Sequence, residues 1–146
     1  MSKHILVSQI MTNKVTVASP SNTFMQVMDF FTLFNVTHLP VVENEVLLGI
    51  ISLKDVNRFV HDKIEKGESV NKENLSDGFD ILKLMTPGPV TVTPDATLEN
   101  ALDILGKGAF SSLPVVENGK LCGIVTISDL VRVVDYETNK GPIMHL

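Results

Sequence analysis

Apolar and polar positions follow the same order twice along this chain. The apolar run Leu39–Val42 recurs as Leu113–Val116, and the segment Gly49–Val56 (GIISLKDV) recurs at the same offset as Gly123–Leu130 (GIVTISDL). Short apolar, β-branched runs predict strands, and apolar residues spaced by three or four predict helices. The pattern therefore predicts one structural unit present in two copies.

Each copy begins with a short predicted strand and a helix. The strand covers Val15–Val17 in the first copy and Val90–Val92 in the second, and a proline turn follows each. Thr23 is the expected N-cap of the first helix, with Gln26 at the capping-box position, and Thr97 is its counterpart.

A hairpin and a second helix complete each copy. In the second copy the turn is Asn118-Gly119, which favours a two-residue hairpin because both residues tolerate positive φ. The first copy has Asn44-Glu45, so we expect a longer or strained turn there. The second helix is expected to begin at Ser52 or Thr126. The unit is therefore β-α-β-β-α.

The expected fold class is α/β in its mixed α+β form, with two β-α-β-β-α repeats packed with pseudo-two-fold symmetry. A unit of about 55 residues buries too little surface to be secure alone, so the copies should pack on each other. We expect the first repeat at 1–62, a polar linker at 63–80, the second repeat at 81–136 and a C-terminal tail at 137–146.

Composition narrows the class of partner. The 146 residues carry a formal net charge of −5, which disfavours nucleic acid or an anionic membrane surface because both need a basic stripe. The single cysteine, Cys122, excludes an internal disulfide framework. No apolar run approaches the roughly 18 residues of a membrane span, and the first residues lack a signal-peptide core, so we expect a cytoplasmic protein.

The repeated motifs resemble the tandem CBS domains of the Bateman module, named after cystathionine β-synthase. The resemblance rests on Met-Thr at 11–12 and 85–86, the Leu-Pro-Val-Val strand and the Gly-to-Asp ending, each present twice in order. It implies a CBS-pair fold that binds adenine nucleotides or related adenosyl ligands in clefts between the repeats. It also implies a partner protein that responds to the bound ligand.

Ser52–Asp55 and Thr126–Asp129 can supply the chemistry of such a site. The start of a helix offers N–H groups and a partial positive charge to a phosphate, and the hydroxyl adds a donor. The aspartate repels phosphate but accepts hydrogen bonds from a ribose diol. The same spacing is also that of a helix capping box, and the two interpretations are compatible.

The resemblance joins the base-binding strands of one repeat to the aspartate-bearing helix of the other. The first expected site consists of Ala18, Val36, Thr37, His38, Pro40, Thr126, Ser128 and Asp129. The second expected site consists of Val92, Phe110, Ser111, Ser112, Pro114, Ser52, Lys54 and Asp55. Lys54 can reach a β- or γ-phosphate and Ser128 cannot neutralise one, so the second site should favour the more highly phosphorylated ligand.

Other polar residues have plainer interpretations. His38 is interpreted first as a half-buried strand residue, since no Cys, Asp or His stands at metal-binding spacing from it. Cys122 lies in an apolar strand and is expected to be an inert core thiol. We expect neither a metal site nor an enzyme active site, because no nucleophile–base pair, metal cluster or glycine-rich phosphate loop is evident.

The first helix of the first copy, TFMQVMDFFTLF, is apolar on nearly every side. One core needs only a stripe about 100° wide, so the surplus should be covered by a second chain. We expect a homodimer with Phe30, Phe31 or Phe34 in its interface. The alternative is a helix buried between the two repeats.

Two functions follow from these observations. The first is a regulatory module that senses AMP, ADP, ATP or a related adenosyl compound and transmits its occupancy to a partner protein. The alternative is a structural or assembly module whose clefts stay empty and whose function is the dimer surface.

Overall fold

The compact units of the folded chain do not coincide with the two sequence repeats. The structure, a computed structural model, describes the backbone of residues 5–108 and 111–139 and the side chains of 5–108 and 111–133. It divides into two compact units. The first unit is Thr16–Pro89, and the second combines the described residues before Thr16 with those after Pro89.

From the first long helix of each repeat onward the elements follow the expected order of helix, strand, strand and helix, and short helices and a two-residue strand are added. The first part of the chain contains α1 (Val7–Ile10), α2 (Phe24–Phe34), β1 (His38–Glu43), β2 (Val46–Ser52) and α3 (Leu53–Glu65). The remainder contains α4 (Lys72–Ser76), α5 (Ile81–Leu84), β3 (Thr86–Pro87), α6 (Leu98–Gly106), β4 (Ser112–Glu117), β5 (Lys120–Thr126) and α7 (Ile127–Asn139).

Each unit contains an antiparallel hairpin whose last residue leads directly into a helix. In the first unit β1 pairs with β2, so that His38 lies opposite Ser52. In the second unit β4 pairs with β5, so that Ser112 lies opposite Thr126. The pairing register shifts at the same place in both hairpins, between Val41 and Val42 and between Val115 and Val116. The duplication therefore extends to the register of the strands.

Each unit has its own apolar core. The core of the first unit consists of Ala18, Phe24, Val27, Phe31, Leu39, Val41, Ile51, Val56 and Ile81. The core of the second unit consists of Val7, Val92, Leu98, Ala101, Leu105, Leu113, Val115, Val125 and Leu130. Most of these residues come in repeat-related pairs, as expected of two copies of one pattern.

The predicted first strand of each copy is wrong. Val15–Val17 and Val90–Val92 do not form strands. Each copy has one isolated parallel bridge instead, from Ala18, just after the first segment, to Val41, and from Val92, at the end of the second segment, to Val115. Two backbone hydrogen bonds hold each bridge, such as Ala18 N–H to Pro40 O at 2.9 Å. The proline turn that follows redirects the chain before a ladder can extend.

The predicted linker contains helical residues and packs against the first unit. Residues 63–80 include the end of α3 and the whole of α4, and Leu75 and Phe79 pack against the core of the first unit. The Phe79 ring meets the Phe24 ring edge-on at 5.6 Å between centroids. Among the described residues, no helix is long and apolar enough to cross a membrane.

The predicted helix N-caps are confirmed. The Thr23 hydroxyl accepts a hydrogen bond from the Gln26 N–H, and the Gln26 side chain accepts one from the Thr23 N–H. Thr97 forms the same reciprocal pair with Asn100 at the start of α6. These caps satisfy backbone donors that have no partner inside the helix.

The repeated Met-Thr and Gly motifs pack on each other within each unit. A Cβ added to Gly49 would lie 2.6 Å from both the Met85 sulfur and the Thr86 carbonyl oxygen. Gly123 is equally crowded by Met11. The Met-Thr segment that opens each repeat therefore packs on the glycine strand of the other repeat's sequence.

The two hairpin turns have the same backbone form but different residues. Asn118 and Gly119 have φ values of 53° and 80°, which suits both. Asn44 and Glu45 have φ values of 52° and 67°. Glutamate has a Cβ that is unfavourable in this left-handed region, so the expectation of a strained first turn is confirmed.

We expect Glu45→Gly to stabilise the protein by about 0.5–1 kcal/mol, because relief of the left-handed strain exceeds the added freedom of the unfolded chain. Thermal unfolding followed by circular dichroism measures the change. Glu45→Ala removes the carboxylate but keeps Cβ and should give no such gain. A gain with Glu45→Ala equal to that with Glu45→Gly would assign the effect to charge rather than to strain.

We expect Gly49→Ala to destabilise the protein by about 1–3 kcal/mol, because its Cβ has no room beside Met85 and the Thr86 carbonyl. Urea unfolding gives the free energy. Gly106→Ala is the matched control, since nothing lies within 4 Å of its added Cβ. It should be neutral or stabilising in α6. Equal effects of the two substitutions would contradict the packing argument.

Candidate functional site

The two helix starts singled out in the sequence form closed, reciprocal capping boxes. Asp55 Oδ2 accepts a hydrogen bond from the Ser52 N–H at 2.8 Å, and the Ser52 hydroxyl accepts one from the Asp55 N–H at 3.2 Å. In the second unit the Thr126–Asp129 pair has the same bonds at 3.0 and 3.1 Å. The capping interpretation is therefore correct at both positions, and one carboxylate oxygen of each aspartate is occupied by it.

The other oxygen of each aspartate faces an arginine one turn along the helix. Arg132 Nη2 donates to Asp129 Oδ1 at 2.6 Å, and Arg58 Nη1 lies 3.7 Å from Asp55 Oδ1. The aspartate side chains are only 10% and 12% exposed, whereas the arginine side chains are 71% and 67% exposed. Each carboxylate is thus nearly enclosed and is paired with an exposed cation.

Sequence reasoning missed these arginines, although a signal for them was present. Arg58 and Arg132 stand at the same offset as the rest of the repeat, three residues after Asp55 and Asp129. A spacing of three on a helix places two side chains on one face. The extended pattern is therefore Ser/Thr-x-x-Asp-x-x-Arg in both copies.

The helix starts offer fewer phosphate donors than the sequence suggested. The first N–H of α3, from Leu53, donates to the Thr37 carbonyl at 2.9 Å, and that of α7, from Ile127, donates to Ser111 at 3.1 Å. The third N–H of each helix is held in the capping box. The N–H of Lys54, and that of Ser128 in α7, remain as the backbone donors of the first turn that can receive a phosphate.

His38 lies beside the first helix start, as its strand register requires. Its Nδ1 is 3.0 Å from the Thr37 hydroxyl. Burial lowers the pKa of the His38 imidazole below 6.5, with Asp55 opposing the shift and Lys54 adding to it. The ring is therefore neutral at pH 7, where it can act as a hydrogen-bond partner without adding positive charge.

The structure brings the expected site residues together within each unit. The first unit places one set around β1 and the start of α3: Ala18, Val36, Thr37, His38, Pro40, Ser52, Lys54 and Asp55. The second unit places its set around β4 and the start of α7: Val92, Ser111, Ser112, Pro114, Thr126, Ser128 and Asp129. Phe110 lies outside the described residues. The assignment of each ligand to residues of both repeats stays a prediction.

Burial divides each set into supporting and accessible residues. Ala18 and Pro40 are buried in the first unit, where Val36 is half-buried and Thr37 is exposed. In the second unit the repeat-related residues show the same division: Val92, Ser112 and Pro114 are buried, and Ser111 is exposed. The strand residues therefore shape the site, and the residues that precede each strand are the ones that can contact a ligand.

The aromatic residues of α2 fall into different environments. Phe31 is buried in the core of the first unit, and Phe30 packs against that core while partly buried. Phe34 is 55% exposed, and its neighbour Leu33 is 75% exposed. The surplus apolar surface is thus confined to the end of α2, and Phe31 belongs to the core rather than to an outer face.

Cys122 fits its expected structural role. Its thiol donates to the Val115 carbonyl across the hairpin at 3.4 Å. Burial, reinforced by Glu117, raises the pKa of the thiol, which disfavours the reactive thiolate. Within residues 5–108 and 111–133, no cluster of three or more His, Cys, Asp or Glu side chains could hold a metal ion.

An open cavity of about 360 Å³ in the second unit lies apart from these residues. Its lining comprises Leu6, Ser8, Thr93, Pro94, Asp95, Val116, Glu117 and Asn118. None of these is an expected site residue. The carboxylates of Asp95 and Glu117 oppose the binding of a phosphorylated ligand there.

Comparison with known proteins gives close relatives in sequence and fold. An uncharacterized protein of Methanocaldococcus jannaschii is 33% identical over 129 residues, which cover 88% of this chain and 43% of that protein. An uncharacterized protein of Acidianus ambivalens is also 33% identical, over 88% of this chain and 72% of its own length. This chain thus spans less than half of the first relative and most of the second.

A solved structure of similar fold is that of CBSX2 in complex with AMP. The two chains share 29% identity with a TM-score of 0.76, over 92% of this chain and 98% of the other. CBSX2 from Arabidopsis thaliana is described as a CBS-pair protein. The CBS domain pattern itself matches residues 7–62 and 79–136. With both repeats matched and the whole fold shared, the chain belongs to the CBS domain family as a tandem pair.

Proposed function

We propose that this protein is a regulatory module that binds an adenine nucleotide or a related adenosyl compound and transmits its occupancy to a partner protein. AMP, ADP and ATP are the first candidates. The ribose diol donates to Asp55 or Asp129, and the exposed residues that precede β1 and β4 contact the base. Lys54 adds positive charge for a longer phosphate chain at one of the two positions.

The observation that carries this proposal is the nearly enclosed carboxylate at the start of α3 and of α7. Surface capping aspartates have no need of burial, yet Asp55 and Asp129 are about nine-tenths covered. An ionised carboxylate in such a place is a strong acceptor for a sugar diol, because competing water is largely excluded. Both repeats have kept the same feature in the same place.

The relatives support the same class of ligand. CBSX2 was crystallised with AMP, and it aligns over nearly its whole length with this chain. A match to part of an inosine-5′-monophosphate dehydrogenase of Staphylococcus epidermidis covers 70% of this chain but only 19% of that enzyme. The similarity to that enzyme is thus confined to a small part of it, as expected of a regulatory module.

We expect the protein to be stabilised by at least one ligand among AMP, ADP, ATP, NAD and S-adenosylmethionine. A ligand at 100 times its Kd adds about 2.7 kcal/mol to the free energy of unfolding. Asp55→Asn and Asp129→Asn should each weaken binding at their site by about 10- to 100-fold, through loss of charge-assisted hydrogen bonds. The double variant should lose the thermal shift. Thermal unfolding and calorimetric titration measure both effects.

The chain itself provides the control for helix capping. Asn100 already forms a reciprocal box with Thr97 at the same helix position, so asparagine can keep the cap when it replaces either aspartate. Thr97→Ala removes a comparable cap elsewhere and should lower stability by about 1 kcal/mol without changing affinity. A double Asp→Asn variant that retains the full ligand shift would falsify the proposed site.

An assembly module is the second candidate function, and the exposed end of α2 favours it. Leu33 and Phe34 are large exposed apolar side chains that a second copy of the chain could cover. Under this alternative the protein dimerises through that surface, and the capping aspartates have a structural role alone.

We expect wild-type protein to sediment with the mass of two chains at micromolar concentration, and Phe34→Ser with Leu33→Ser to sediment as one chain. Removal of two exposed apolar side chains takes away interface area but leaves the core, which contains Phe31, intact. Phe34→Leu keeps the apolar character and should remain dimeric. A monomeric wild type, or a dimer unaffected by the double serine variant, excludes this surface as the interface.

A further inference from the structure

Each proposed ribose acceptor is already held by a cation from its own helix. The guanidinium of Arg132 contacts Asp129 at 2.6 Å, and that of Arg58 lies 3.7 Å from Asp55. Both arginine side chains are mainly exposed, while both carboxylates are nearly enclosed. The arginine is therefore the member of each pair that reaches solvent.

A sugar hydroxyl and the guanidinium compete for the same oxygen. Oδ2 of Asp129 is occupied by the Thr126 N–H, so Oδ1 is the oxygen available to a ligand. Oδ1 accepts from Arg132, and with that arginine in place only a tenth of the Asp129 side chain reaches solvent. A ribose hydroxyl that takes the place of the guanidinium on Oδ1 must displace the arginine from it.

The arginine can leave at small cost and has a better partner once a nucleotide is bound. The guanidinium end of each pair is exposed, so the arginine that leaves is solvated at once by water. The nearly enclosed carboxylate that it leaves is satisfied by the hydroxyls of the ribose. The guanidinium fork matches phosphate in bidentate geometry. A 5′-phosphate lies within one sugar of the diol, and a long arginine side chain on the same helix face can span that distance.

We propose that Arg132, and to a lesser degree Arg58, exchanges its aspartate for the ligand's phosphate when the ribose binds, so that the site selects phosphorylated nucleotides over uncharged nucleosides. This inference rests on the proposed function. When a nucleoside without a phosphate binds, the displaced arginine gains no new partner, so the loss of its ion pair opposes binding. With a phosphate, the same displacement yields a new ion pair.

The two repeats differ in how firmly the arginine holds its aspartate. The bond at Asp129 is short and hydrogen-bonded, whereas the pair at Asp55 is 3.7 Å apart and looser. Discrimination against a nucleoside is therefore stronger at Asp129. The site that contains Asp55 admits uncharged adenosyl compounds more readily.

Calorimetric titration of the full chain with adenosine and with AMP tests the exchange. Arg132→Gln removes the competitor and the phosphate partner together, so the two affinities should change in opposite directions. Adenosine should bind about two- to fivefold more tightly and AMP about tenfold more weakly. Arg58→Gln should show the same signs with smaller changes. Arg132→Lys keeps the charge without the fork and should restore part of the AMP affinity.

Lys107→Gln is the matched control. Lys107 forms an exposed ion pair with Asp103 at 3.7 Å, so this variant deletes a surface cation of the same unit whose partner is not one of the expected site residues. Both affinities should stay unchanged in it.

The outcomes separate this inference from the proposed function. Opposite changes in the two affinities support the exchange. Weaker binding of both ligands in Arg132→Gln indicates a purely structural arginine and overturns it, as does an unchanged ratio of the two affinities. A wild-type protein that binds neither these two ligands nor any of the other adenosyl compounds overturns the proposed function together with the inference.

Discussion

The reciprocal hydrogen bonds between Ser52 and Asp55, and between Thr126 and Asp129, are the constraint on which the candidate sites depend. They end a strand and start a helix within one residue, since the hydroxyl and the carboxylate satisfy the donors that the turn exposes. The same bonds fix the rotamer of the aspartate. One oxygen points into the backbone and the other points outward, so a capping residue becomes a positioned acceptor.

The close packing of each Met-Thr motif on a glycine is a second constraint, and it acts between residues that are far apart in the chain. At Gly49 and at Gly123 a methionine side chain and a threonine carbonyl oxygen lie so close to the backbone that a Cβ would clash with them. This approach draws the opening segment of each repeat to the strand of the other repeat's sequence. The units divide at Thr16 and Pro89, and each of them contains one of these contacts.

The same carboxylate can cap the helix with one oxygen and accept a ligand with the other. The cap uses one oxygen in an ordinary way, and many helices show that a cap alone needs no burial. The enclosure of Asp55 and Asp129 and the arginine facing each of them are additional features, repeated in both units. Capping and ligand binding are thus separable by substitutions that preserve one and remove the other.

The sequence by itself determined the duplication, the hairpins, the helix starts and the family. These depend on local spacing and on residue types such as Asn-Gly, Thr-x-x-Gln and Leu-Pro-Val-Val, whose effects act over a few residues. The strain at Glu45 was foreseeable for the same reason, because left-handed backbone is unfavourable for any residue with a Cβ.

Only the tertiary structure decided which segments pack together and which side chains remain exposed. The predicted first strands are single bridges, and Phe79 of the predicted linker packs against the core of the first unit. Phe31 is buried, whereas Phe34 is exposed. Such outcomes depend on contacts between residues far apart in the chain, and local periodicity carries no information about those distances.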